Sequence, residues 1–168
     1  MVATDNSILL RTPSGWLASG FGSGLSPVAP GTVGSLAALL PAWLYCEYLP
    51  FNIWVTVIVI LLAFILGCVI CQNAGRQLGV HDHGALVWDE FVGQWLVLLV
   101  VTPTVVNWLL AFALFRLFDI WKPWPIGYFD KKVSGGFGVM LDDVLAAIYA
   151  MPLAYGLSYL IGDLYFTQ

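Results

Sequence analysis

LVWDEFVGQW (residues 86–95) and FRLFDIWKPWPIGYFDKKVSGGFGVMLDD (residues 115–143) hold six of the ten carboxylates and four of the six fixed cations of this 168-residue chain. The acids are Asp89, Glu90, Asp119, Asp130, Asp142 and Asp143, and the cations are Arg116, Lys122, Lys131 and Lys132. Only 10% of the residues are charged and 60% are hydrophobic, with a mean hydropathy of +0.88. A soluble surface needs far more charge than that, so the chain reads as an integral membrane protein, and its length suits a single domain over residues 1–168. Charge this scarce and this clustered calls for a chemical explanation.

Between the two stretches lie apolar arms at 86–101 and 105–118, joined through Thr102-Pro103-Thr104. Between Glu90 and Pro103, and again between Val105 and Asp119, a helix rises only about 20 Å, short of the ~30 Å hydrocarbon core. The pair either spans with its polar ends at the membrane surface or forms a half-buried hairpin; in both cases those polar ends are neighbours. Upstream, an apolar run over 33–49 with Pro41 inside it precedes an uncharged run over 51–71, the two separated by Pro50. Downstream, a last apolar helix is predicted from near Val139, through Pro152, to about Ile161. The expectation is an all-α, multihelical, membrane-embedded bundle of about four to five apolar helices.

Lysine and arginine placement sets the expected orientation. Arg11 precedes the first helix, Arg76 follows the second, and Lys122, Lys131 and Lys132 lie between the fourth and fifth, whereas the turns near Pro50 and Pro103 carry none. A cytoplasmic N-terminus and an external C-terminus satisfy this pattern. The N-terminal segment lacks a basic start and a continuous apolar core, so it is expected to be retained rather than cleaved, and to be flexible over about residues 1–14.

Several classes are excluded or left plain. A net charge of −4 with no basic face argues against nucleic-acid binding. Cys46, Cys68 and Cys71 sit in apolar runs without a second ligand pair, as free thiols packed like small hydrophobes. Glu47, Asp130, Lys131, Lys132 and Asp163 read as interfacial charges, and Trp121 and Trp124 as an aromatic belt.

Residues 12–35 are rich in glycine, proline and hydroxyls. Their backbone N–H groups between Gly22 and Ser35, with Thr32 or Ser35 adding a hydroxyl, suit either a phosphate cradle or a loop entering the membrane. His81 and His83 flank Asp82, which suits a metal or general-base cluster only if this segment is a loop, because positions two apart diverge on a helix.

Carboxylates forced together repel, and a hard divalent cation resolves the repulsion. Oxygen ligands point to Mg²⁺ or Mn²⁺ rather than zinc. Arg116, Asp119 and Lys122 recur at i, i+3, i+6 and share one side of a helix. Metal-binding acids interleaved with cations suit hydrolysis of a phosphate ester, with a positioned water or a carboxylate attacking phosphorus.

Four blocks, GFGSGLSPVAPGTVGS (20–35), GVHDHGALVWDEFVG (79–93), FRLFDIWKPWPI (115–126) and GGFGVMLDDVLA (135–146), resemble the signature blocks of the bacterial phosphatidylglycerophosphatase A family. The resemblance covers about residues 16–150 in the right order. It implies an all-α bundle in the inner membrane and Mg²⁺-dependent removal of the terminal phosphate of phosphatidylglycerophosphate, giving phosphatidylglycerol. Carried onto this chain, its motifs fall on Asp89 and Glu90, on Asp119, Lys122 and Pro123, and on Asp142 and Asp143, and it marks His81, Asp82 and His83 as a motif without assigning them a role. On this reading Asp89, Glu90, Asp119, Lys122 and Asp143 are expected as catalytic residues, and Asp89, Glu90, Asp119, Asp142, Asp143 and Asp82 around the metal. Arg116, Lys122, Gly31, Thr32, Ser35, His81 and His83 are then expected around the phosphate, on the cytoplasmic side. The rival reading is an ion- or proton-coupled transporter using the same carboxylates, and a third is a scaffold that binds lipid head groups without turnover.

Overall fold

The computed structural model describes residues 6–80 and 83–166, and these form helices with no strand among them. The chain runs through α1 (Pro13–Ala18), α2 (Pro30–Ala37), α3 (Leu39–Tyr48), α4 (Ile53–Leu78), α5 (Trp88–Leu98), α6 (Val105–Trp121), α7 (Ile126–Lys132) and α8 (Gly135–Phe166).

Local chemistry sets these boundaries. Asn52 caps α4 by accepting from the N–H groups of Trp54 and Val55, and Gly79, in the left-handed region at φ 69°, ends it. Thr104 caps α6 by accepting from Asn107 N–H. At α8 the cap comes from another helix: Gly136 N–H donates to Oε1 of Gln72 on α4 at 2.8 Å. That bond satisfies one of the orphan donors at the start of α8.

Among the described residues two helices, α4 and α8, are long and apolar enough to cross a membrane. This corrects the expectation of four to five. The run at 33–49 breaks at Ala38, which closes α2 and opens α3. These helices of 8 and 10 residues rise only about 12 and 15 Å. α5, at 11 residues, rises about 16 Å, and α6, at 17 residues, about 26 Å, both short of the ~30 Å core.

Other boundaries also shift. α4 continues to Leu78, so residues 72–78 of the expected polar interlude are helical. α8 starts at Gly135 rather than near Val139, and α7 forms inside the expected loop. The N-terminal stretch expected to be flexible contains a 3₁₀ turn over Asn6–Arg11, whose Leu9 is fully buried.

α5 packs into the middle of the bundle. Trp88 Nε1 donates to Ala63 O on α4 at 3.0 Å, and Trp95 Nε1 donates to Ala38 O at 2.9 Å. Ala146, Ala147, Ala150 and Ala154 of α8 are fully buried in one cluster with Ala111, Phe115 and Phe118 of α6. Small residues let the two backbones approach, and inside a bilayer such close packing and interhelical hydrogen bonds hold helices together. The consequence is positional: the starts of α5 and α8 and the end of α6 meet at one end of the bundle.

Candidate active site

The first turn of α5 supplies Asp89 and Glu90, the last turns of α6 supply Arg116 and Asp119, and the third turn of α8 supplies Asp142 and Asp143. Asp89, Asp142 and Asp143 are buried, with ligand oxygens within 4.8 Å of one another. Asp119 lies within side-chain hydrogen-bonding reach of Asp143, and Glu90 within reach of Asp89. Five carboxylates drawn from three helices are therefore contiguous.

Two cations border them. Nη1 of Arg116 lies 2.6 Å from Asp119 Oδ2 and 3.8 Å from Glu90 Oε1. It also donates to Ser35 Oγ at 3.3 Å, and Ser35 Oγ in turn donates to Gly31 O at 2.9 Å. A side chain at Gly31 would run into Glu90 Oε1 and the Arg116 guanidinium, so the absence of a Cβ lets α2 close over this pair. Lys122, at the end of α6, adopts φ 43°, ψ 58° and donates through Nζ to Asp130 Oδ1 at 2.7 Å and to Asp142 Oδ2 at 2.5 Å.

The electrostatics follow from crowding. Burial, and then the charge of Glu90, pushes the Asp89 carboxyl well above the usual carboxylate range. Burial pushes Glu90 up to about 8, against the downward pull of its hydrogen bond with Asp89 and of Arg116. Burial would lower Lys122, but Asp142 and Asp130 outweigh it and hold the ammonium well above its ordinary value.

Four buried carboxylate oxygens, Asp89 Oδ1, Glu90 Oε2, Asp142 Oδ1 and Asp143 Oδ2, have no hydrogen-bond partner among the described residues, and neither has Arg116 Nε. An orphaned buried polar atom costs about 1–3 kcal/mol, more if charged. An all-oxygen donor set with free lone pairs fits a hard divalent cation, which removes that cost.

Some expected site residues are placed differently. The N–H groups of Gly22, Ser23, Gly24, Leu25 and Ser26 all donate to backbone carbonyls, so this part of the expected cradle has no donors to spare. What reaches the cluster from 12–35 is Gly31 and Ser35, with Thr32 beside them on α2. His81 and Asp82 lie outside the described residues. His83 Nδ1 accepts from Ala85 N–H at 3.1 Å within its own turn.

Two residues escaped the sequence reading. Asp130, taken there as an interfacial charge, is a direct partner of Lys122. Gln94 is fully buried with both amide atoms unpartnered. Its spacing four residues beyond Glu90 was a legible signal that both share a helix face. No periodicity links Lys122 to Asp130 across the prolines between them.

A cavity of about 670 Å³ lies between the start of α6 and the far half of α8, and none of the described residues lining it is Asp, Glu, Lys, Arg or His. A smaller one of about 150 Å³ reaches Asp142.

A family model described as Phosphatidylglycerophosphatase A matches residues 16–158, which contain the whole cluster. An Escherichia coli protein named Phosphatidylglycerophosphatase A is 44% identical over 91% of this chain and 87% of its own length. A Haemophilus influenzae protein of the same name is 50% identical over 90% of this chain and 93% of its own. A Bacteroides thetaiotaomicron protein with the provisional name phosphatidylinositol-3-phosphatase is 39% identical over 87% of this chain and 94% of its own. No solved structure matches the chain. A match across nearly the full length, enclosing every described residue of the acidic cluster, places the chain in the phosphatidylglycerophosphatase A family.

Proposed function

We propose that this protein hydrolyses the terminal phosphate monoester of phosphatidylglycerophosphate, yielding phosphatidylglycerol and inorganic phosphate in phospholipid synthesis. One observation carries the reading: three buried carboxylates, Asp89, Asp142 and Asp143, stand within 4.8 Å of one another, at the end of the bundle that also holds Arg116 and Lys122. Family membership supplies the substrate.

Asp89, Asp142 and Asp143 are the residues to hold Mg²⁺, with Glu90 and Asp119 next to them. Mg²⁺ bound there would neutralise the carboxylates and polarise the phosphate oxygens. Arg116, steadied by Asp119, Glu90 and Ser35, has Nε–H left to donate to a phosphate oxygen. Lys122 keeps Asp142 in place and adds positive charge. A water oxygen bonds to phosphorus as the bond from phosphorus to the glycerol oxygen breaks; a cluster carboxylate takes a proton of the water and returns it to the departing glycerol oxygen, which leaves as the hydroxyl of phosphatidylglycerol. Trapping a phosphorylated aspartate would replace water by that carboxylate as nucleophile.

The site belongs on the cytoplasmic side. Lys131 and Lys132 end α7 beside the cluster and Arg76 lies in the last turn of α4, all at this end of the bundle, which the positive-inside bias favours. A coupled transporter calls for acids midway through the membrane, whereas Asp142 and Asp143 stand in the third turn of the 32-residue α8.

The test is phosphate release from phosphatidylglycerophosphate in detergent micelles, with Mg²⁺ or with EDTA, for wild type and Asp89→Asn. Mg²⁺-dependent release that the variant loses is the expected result. A folded, Mg²⁺-loaded wild type that releases nothing overturns the reading.

A further inference from the structure

We propose that the small cavity between α7 and the start of α8 receives the glycerol and phosphodiester of the substrate, with Lys131 as the cation that recognises the diester. The inference rests on the phosphatase reading and adds to it a reason for the choice of headgroup.

The cavity, of about 150 Å³, is lined by Asp130, Lys131, Ser134, Gly135 and Asp142 among others. It is about half the lower bound for drug-sized pockets, which suits a three-carbon headgroup and excludes an acyl chain. Asp142 joins it to the carboxylate cluster: the same side chain lines the cavity and belongs to the group formed with Asp89 and Asp143. A lipid whose terminal phosphate sits at the cluster therefore has this cavity next along its headgroup. In phosphatidylglycerophosphate one glycerol separates the terminal phosphate from the phosphodiester, so the diester falls within or at the mouth of this cavity.

The three lysines of this region differ in their engagement. Lys122 is held by Asp130 and Asp142. Lys132 lies over the ring of Tyr128, 5.5 Å from its centre. Lys131 lines the cavity and makes no ion pair among the described residues. Among the described residues lining the cavity, Lys131 is the cation left to pair with an anion, while Asp130 and Asp142 are held by Lys122. The start of α8 at Gly135 adds the positive end of a long helix dipole, and Ser134 adds a hydroxyl donor. Asp130 Oδ1 is taken by Lys122, and its second oxygen offers an acceptor to the glycerol hydroxyl.

The experiment measures phosphatidylglycerophosphate turnover in micelles for wild type, Lys131→Ala, Lys131→Arg and Lys132→Ala. Two product inhibitors probe the two halves of the site: phosphatidylglycerol keeps the diester and glycerol but lacks the terminal phosphate, and inorganic phosphate is the converse. In Lys131→Ala, KM and the inhibition constant of phosphatidylglycerol should each rise about tenfold, as expected for one charge-assisted contact. Inhibition by inorganic phosphate and kcat should stay within about twofold of wild type, and Lys131→Arg should restore binding. The proposal is overturned if phosphatidylglycerol fails to inhibit wild type or inhibits Lys131→Ala equally well, if phosphate inhibition weakens in parallel, or if Lys132→Ala produces the same shift. Absence of turnover in wild type overturns the phosphatase reading instead, and the headgroup assignment with it.

Discussion

Lys122 donates to Asp142 Oδ2 at 2.5 Å from a left-handed backbone at φ 43°, so the residue that caps the end of α6 is locked onto the third turn of α8. A non-glycine residue in that region carries roughly 1–2 kcal/mol of strain, tolerated here because the conformation returns the ammonium to Asp142 and Asp130. Lys122→Gly and Lys122→Ala should both lower phosphate release by on the order of 100-fold. Lys122→Gly should unfold at the higher temperature of the two, because glycine relieves the strain that alanine keeps. Thermal unfolding in detergent, read beside activity, checks the order; equal midpoints would remove the strain argument.

Gly31 is the narrow point between α2 and the Glu90–Arg116 pair. Gly31→Ala should displace that pair and lower activity by about 10- to 100-fold with the fold retained. Gly156, where an added Cβ meets nothing within 4 Å, is the matched control, and Gly156→Ala should be silent. Activity and circular dichroism on the two variants separate misplacement from unfolding.

Removing one acid should raise stability in the absence of metal and abolish the response to it. Asp143 is only 2% exposed among like charges, so Asp143→Asn relieves repulsion in EDTA and raises the unfolding midpoint. Mg²⁺ should stabilise wild type by about 3–4 kcal/mol at roughly 100–1,000 times its dissociation constant and leave Asp143→Asn unchanged. Midpoints with and without Mg²⁺ decide this; a variant that still responds to Mg²⁺ counts against Asp143 as a ligand.

The pH dependence in EDTA has a definite sign. Glu90 is pushed up to about 8 from its ordinary value of 4.5, so between these values the folded protein keeps a proton that the unfolded chain releases. Stability in EDTA should therefore fall as pH rises through that window, and the raised Asp89 acts in the same direction. The unfolding midpoint should drop by on the order of 5 °C between pH 5 and pH 8.5. Mg²⁺, by compensating the carboxylates, should flatten the slope. A midpoint that rises with pH in EDTA would contradict the crowding described here.

Composition and local pattern determined much of this protein before any tertiary contact was known. The apolar run ahead of Gln72 is long and uncharged enough to cross a membrane as one helix, and it forms the 26-residue α4. Arg116 and Asp119, three residues apart, had to share a face, and they form an ion pair at 2.6 Å. These properties are local, because helical period and hydropathy are written in consecutive residues. The tertiary structure decided what depends on how helices meet. α3, α5 and α6 read as apolar segments like α4, but turns and an early break leave them short of the bilayer thickness. Buried alanines on α8 let it close on α6, and that approach brings Asp142 and Asp143 to Asp89 while leaving Glu90 and Asp119 around Arg116. Asp130 joined the site through the left-handed turn at Lys122, a contact between residues eight apart with no repeating pattern to announce it. Sequence spacing carries which residues share a face, and only packing carries which faces meet.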